Sequence, residues 1–316
     1  MGFTNFNKLS VVNGLAVGKH GQEKMVMDGA GRMVLAFNPG NQFFVDSGVG
    51  SYLYDGATWD KPFATLDYAV GKCTANNGDI IWVAPGHNEG ITAAAAIDID
   101  IAGVSIIGLG NGSLKPTIDF DHGDATVAVG ANDVYIENIR FRTSANAVGK
   151  GLDIEAGMDN CQVINCDFGF AETATDEFAI SITNNAGCDN TLIKGCYFQA
   201  GVQAAVVGVK LVGASDNVQV IDNRFVGAFS TAAINGITTL STNCLIQGNI
   251  IQQGATEPGI ELLTGTTGVI ADNYIATNLG TIVASVVADG CWKFQNFYCE
   301  VGDETGVLIG TASAND

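Results

Sequence analysis

One short pattern recurs along the second half of the chain and leaves few folds open to it. The pattern is Asn-x-φ-φ-x-x-Asn-x-Phe, with φ aliphatic. It reads NCQVINCDF from Asn160, NTLIKGCYF from Asn190, NVQVIDNRF from Asn217, NCLIQGNII from Asn243 and TGVIADNYI from Thr267, after a weaker copy, DVYIENIRF, from Asp133. Successive copies start 27, 30, 27, 26 and 24 residues apart. Self-similarity at a nearly fixed period means supersecondary units that stack and bury a continuous core between neighbours.

The Leu-x-x-Leu-x-Leu spacing of leucine-rich repeats is missing, and no 3.6-residue period runs between the copies. Each copy instead follows a second alternating run, such as Gly151-Leu152-Asp153-Ile154 or Gly259-Ile260-Glu261-Leu262. Two or three short strands per turn predict an all-β chain, a single-stranded right-handed parallel β-helix solenoid. The expected division is a small β attachment segment over 1–40, the solenoid over 41–290 with a capping helix near 62–73, and a C-terminal cap and tail over 291–316.

Stacked copies lie about 4.8 Å apart, so equivalent side chains form columns. The fourth column (Ile136, Val163, Ile193, Val220, Ile246, Ile270) is wholly β-branched and should point inward, as should the ninth (Phe141, Phe168, Phe198, Phe225, Ile251, Ile275). Burial of each such side chain contributes about 1.5–3 kcal/mol. The seventh column begins with Ile139, passes through Cys166 and Cys196, and ends in Asn223, Asn249 and Asn273. Stacked asparagines at a turn can bond amide to amide and satisfy free backbone groups, which predicts a structural ladder. Cys166 and Cys196 are expected as reduced, buried thiols.

The outward columns carry apolar residues: Leu192, Leu245 and Val269 in the third, Ile164 and Ile221 in the fifth. Such a stripe marks a protein interface. The expectation is a homo-oligomer, a trimer in the first instance, the alternative being a long loop that folds back over the stripe.

With 14 Lys and Arg against 33 Asp and Glu the formal charge is -19, which repels nucleic acid and anionic membrane surfaces. No stretch reaches the ~18 apolar residues of a membrane span, and the first residues lack the pattern of a signal peptide. Eight cysteines without a CxxC pair, and three histidines apart from them, predict neither a zinc site nor any other metal or cofactor.

Upstream stand Val45-Asp46, then Asp55-Gly56 and Trp59 through Pro62-Phe63 to Leu66, and then Gly78-Asp79-Ile80-Ile81-Trp82-Val83-Ala84-Pro85-Gly86. This resembles the front module of the pectin-lyase-like β-helix superfamily. The resemblance implies the fold but little about chemistry, because that superfamily holds lyases, hydrolases and non-enzymatic viral spikes and decorations. The leader FNKLSVVNGLAVGK, followed by a hairpin of Met25-Val26-Met27 and Met33-Val34-Leu35, is similar to attachment segments of bacteriophage virion proteins. It implies that residues 1–40 bind capsid or other virion proteins.

A β-helix enzyme needs carboxylates clustered on one outer face. The repeat columns place no two acids on adjacent rungs; the other strand offers Asp153, Ser181, Lys210 and Glu261. The densest polar group is Ile118-Asp119-Phe120-Asp121-His122-Gly123-Asp124. Alternation puts Asp119 and Asp121 on one side of a strand with His122 nearby as a general base or metal ligand, whereas Asp-His-Gly-Asp also suits an exposed turn.

The expected function is therefore a non-enzymatic structural protein of the phage particle, a capsid decoration or fibre-like protein located in the virion. The alternatives are a tailspike-type polysaccharide depolymerase or lyase acting through Asp119, Asp121 and His122, and a non-catalytic adhesin for a host glycan.

Overall fold

The structure, a computed structural model, describes residues 24–27, 33–36, 40–169, 176–201, 207–277, 286–300 and 307–309. Within them the chain winds as a parallel β-solenoid with three faces. The first sheet has ten parallel strands in rung order, from Gln42–Val45 and Ile80–Val83 through Gln162–Ile164 to Cys291–Phe294. The second runs from Asn88–Ile91 to Asn296–Glu300 and the third from Ile97–Ile99 to Val286–Val287.

Two left-handed turns explain why the repeat reads as it does. Its first position, Asp133, Asn160, Asn190, Asn217 and Asn243, sits at φ +52° to +62°, just before each first-sheet strand. Its sixth, occupied by Asn138, Asn165, Gly195, Asp222, Gly248, Asp272 and Gln295, sits at φ +52° to +68°, just after it. Only Gly, Asn and Asp enter that region at low cost. A three- or four-residue strand between two such turns then repeats in register.

Register confirms the inward columns. Ile136 pairs with Val163, Val163 with Ile193 and Ile193 with Val220, all buried, and the column reaches back to Ile81 and Ile106. In the ninth column the rings of Phe141, Phe168, Phe198 and Phe225 stack nearly parallel, with centroids 4.7, 5.0 and 4.5 Å apart. The third-sheet alignment read from sequence needs correction. Asp153 stands beside Thr183, not Ser181, and Asn235 intervenes before Glu261. The seven-residue strand Phe178–Asn184 is longer than the run visible in sequence.

The front of the coil is plugged by Phe63, Leu66, Ala69 and Val70, all buried. The helix is only Leu66–Val70. It does not begin near Pro62, because Phe63 forms a parallel bridge with Val45 and Thr65 is extended. With no side-chain cap from Thr65, the Leu66 N–H is taken by the Glu89 carboxylate at 2.8 Å. Fully buried Asp79 accepts hydrogen bonds from the Thr74 N–H and Asn77 Nδ2, which fixes the turn before the first full rung.

The far end also differs from expectation. Cys291–Phe294 and Asn296–Glu300 are one more rung of the first and second sheets, rather than a cap outside the repeat. Its polarity is inverted: Lys293 falls in the inward column while Trp292 and Phe294 are exposed. The edge of the second sheet is covered by the antiparallel strand Val307–Ile309.

The strands Lys24–Met27 and Met33–Ala36 pair antiparallel, as the leader's hairpin reading requires. The remainder of the 1–40 segment, and its attachment role, lie outside the described residues.

Candidate functional site

The outer surface of the second sheet holds most of the polar chemistry. Asp119 pairs in register with Arg142 one rung on, and the two side chains form an ion pair; Ser144 Oγ donates to Asp119 Oδ1 at 2.6 Å. Beside them Asp167 takes Lys115 Nζ at 2.9 Å and Arg140 at 3.5 Å, while Lys115 also donates to the Asn165 carbonyl at 2.7 Å. These are low-exposure pairs, in which removing one partner costs more than forming the pair gained.

Sequence alternation placed Asp119 and Asp121 on one side, and they are. Gly90 stands in register with Asp119, and a side chain at Gly90 would overlap the Asp121 carboxylate. His122 does not join them. It is exposed in the following turn, where its Nδ1 accepts the Asp124 N–H at 3.1 Å and lies 3.6 Å from the Asp124 carboxylate. A hydrolytic pair needs one free carboxylic acid and one free carboxylate facing a substrate. The oxygens of Asp119 are engaged by guanidinium and hydroxyl, so the geometry serves cohesion between rungs.

The third sheet is similar. Asp153 pairs with Lys150 at 2.8 Å and accepts from Asn185 Nδ2 at 2.8 Å, and Glu261 accepts from Asn235 Nδ2 at 3.0 Å. An acidic group that sequence reasoning missed gathers near the front, where Asp98 and Glu155 flank Gly130. Burial, then repulsion from Asp100, Glu155 and Asp67, raises the Asp98 carboxyl above its ordinary value. Asp98 and Asp100 share one rung, but Asp67 and Glu155 come from elsewhere in the chain, which no linear motif reveals. Among the described residues no group of three His, Cys, Asp or Glu side chains could hold a metal ion.

The ladder is built as expected and runs one rung further. Asn223 Nδ2 donates to Asn249 Oδ1 (3.1 Å), Asn249 Nδ2 to Asn273 Oδ1 (2.9 Å) and Asn273 Nδ2 to Asn296 Oδ1 (2.8 Å). Each Oδ1 also accepts the preceding rung's backbone N–H. Cys196 closes the series, its N–H donating to Asn223 Oδ1 at 2.9 Å and its thiol to the Val163 carbonyl at 3.4 Å. The Cys166 thiol instead donates within its own rung, to the Ile164 carbonyl at 3.3 Å, and lies 3.9 Å from the Ile136 carbonyl of the preceding one. Burial pushes the Cys196 thiol well up, and Cys161 and Cys244 to about 12, so these are not nucleophiles at neutral pH. A second, exposed ladder was not anticipated: Asn160, Asn190 and Asn217 link through their amides at the first repeat position.

Ile164, Leu192, Ile221, Leu245 and Val269 all lie on the outer face of the first sheet, half-buried by their neighbours. The apolar surface extends beyond them, to Ile80, Trp82 and Ile107 at one end and exposed Trp292 and Phe294 at the other. On the second sheet, exposed Tyr274 and Phe297 stack with centroids 5.1 Å apart and planes 7° from parallel.

No protein-family model matches the sequence, and no curated protein matches it. Among solved structures, the chain is similar to the GH136 lacto-N-biosidase from Eubacterium ramulus, with a TM-score of 0.39 and 10% identity over 82% of this chain and 64% of that one. It is also similar to ORF18 of Geobacillus virus E2, with a TM-score of 0.33 and 13% identity over 90% of this chain and 68% of that one. The chain thus spans about two thirds of the length of these proteins. No helix among the described residues is long and apolar enough to cross a membrane.

Proposed function

We propose that the chain is a non-enzymatic structural protein of a tailed-phage particle, a capsid decoration or fibre-like shaft held by its first 40 or so residues. The observation that carries this reading is the use to which polar groups are put. The clamped carboxylates Asp119, Asp153 and Asp167 and the amides of Asn223 to Asn273 bind other parts of the coil, which suits a rigid element better than a reaction centre. The leader supports the same reading by its resemblance to virion attachment segments. Quantitative mass spectrometry of purified particles of the encoding phage tests it: hundreds of copies per particle fit decoration, a few copies fit a fibre, and absence from the particle overturns the proposal.

A second reading, a non-catalytic adhesin for a host glycan, is favoured by one observation. The exposed Tyr274–Phe297 stack, with Arg224 over the Tyr197 ring at 5.6 Å further along the same outward column, offers flat faces to a sugar. Glycan-array binding that is lost on Tyr274→Ala would support it; equal binding by the variant would remove that platform from consideration.

A further inference from the structure

We propose that the outer face of the first sheet is where a second copy of this chain docks, antiparallel to the first, about a two-fold axis passing beside Ile164. The two outward columns of that face carry an apolar or aromatic residue on every rung and, among the described residues, only two charges, Glu137 and Lys194. Both charges stand in the same column, one rung on either side of Ile164.

A two-fold axis along the strand direction reverses the rungs but keeps each column opposite itself. Ile164 then meets its own copy, and Glu137 meets Lys194 twice over. One rung further out Ile107 faces Ile221, and in the other column Tyr135 faces Leu192 while Ser105 faces Gln219. Within two rungs of the axis opposite charges thus meet and side chains meet their like; further out Ile80 meets Leu245 and Phe44 meets Ala271, and the mismatches are Trp82 with Gln247 and Gln42 with Val269. A two-fold or three-fold axis along the coil keeps equal rungs level instead. It sets Leu192 against Lys194, Gln162 against Ile164 and Gln219 against Ile221, burying polar groups against hydrocarbon. Matching in kind therefore selects the antiparallel pair over the trimer that the apolar stripe alone suggests.

The two charges are placed to be shared. The Lys194 ammonium is half exposed and only 3.8 Å from a more exposed Asp222, a pairing that solvent screens. Glu137 is held toward the face by the Tyr135 hydroxyl at 2.8 Å. Ten strands spaced by about 4.8 Å make a face roughly 43 Å long. With a width of two outward columns it supplies on the order of 500 Å² per copy, about the least a specific interface requires. The dimer is accordingly expected to be reversible, with its solenoids side by side and their first rungs at opposite ends.

Sedimentation velocity of the full chain from about 1 to 100 μM, with circular dichroism to verify folding, tests the inference. The wild type should form a dimer. Glu137→Lys and Lys194→Glu should each raise the dissociation constant at least tenfold by setting like charges together, and the double variant should restore it. A monomer throughout, a trimer, or a dimer whose affinity ignores the charge swap would each overturn the proposal.

Discussion

The corner between the first and second sheets is built in two ways along one molecule. Over its middle rungs it is made of Cys166 and Cys196 beside the stacked rings of Phe141, Phe168 and Phe198. Toward the C-terminal end it is made of Asn223, Asn249, Asn273 and Asn296, beside Phe225 at the junction and then Ile251, Ile275 and Tyr298. The backbone demand is the same in both, since each turn leaves a carbonyl and an N–H facing inward. An amide meets both with strong hydrogen bonds and tolerates an aliphatic neighbour. A thiol meets them weakly, yet it is small and apolar, and it leaves the cohesion to aromatic stacking. A solenoid corner thus asks for any side chain that satisfies two backbone groups without adding volume.

The largest effect should come from breaking the aromatic half. Phe198→Ala removes the ring between Phe168 and Phe225 from a fully buried site and should cost about 3–5 kcal/mol, read as faster local hydrogen exchange in the flanking rungs and a lower urea midpoint. Asn249→Ala strips the Val220 carbonyl and the Asn223 N–H of their partners and should cost about 2–4 kcal/mol, with the exchange changes confined to the amide half. If either change loosened both halves equally, the comparison would fail and the rungs would have to be treated as one cooperative unit.

Buried thiols away from that corner, one on a rung of each half, give the stability of the coil a pH dependence. Cys161 and Cys244 are held at about 12 by burial against an ordinary 9.0, so between those values the folded chain binds more protons than the unfolded one. Stability must then fall as pH rises through that window, whereas at neutral pH these groups change nothing. Thermal melting from pH 8 to 11 should show the decline, and Cys161→Val with Cys244→Val should lessen it, the remainder coming from the other raised thiols, Cys73, Cys188, Cys196 and Cys291. The smallest effect is expected where the two halves meet. Cys196→Asn extends the ladder by one rung and should change stability by less than about 1 kcal/mol, because the Asn223 acceptor is already in place. A loss well beyond that would mean the thiol's size matters more than its polarity.

How much of this was legible follows from what each column contains. The Ile and Phe columns and Asn223 to Asn273 could be read directly, because stacking in register turns a sequence period into a spatial one. Asn296 was hidden: its rung carries Gln295 at the left-handed turn and Lys293 in the inward column, both outside the pattern. The exposed amide ladder was hidden for the opposite reason, since its asparagines were visible as repeat markers but not as partners. At the candidate site the alternation of Asp119 and Asp121 was sound. What sequence could not supply was Arg142 and Ser144, more than twenty residues away and one rung up, which turn a candidate acid into a strut.

The most direct test of the proposal is a cryo-electron reconstruction of the phage particle to which it assigns the chain. The structural reading predicts rod-shaped densities with strands spaced at ~4.8 Å, anchored to the particle surface through the end that bears the N-terminal segment. Particles without such density, together with a purified chain that cleaves host glycan and loses that activity on Asp119→Asn, would contradict it.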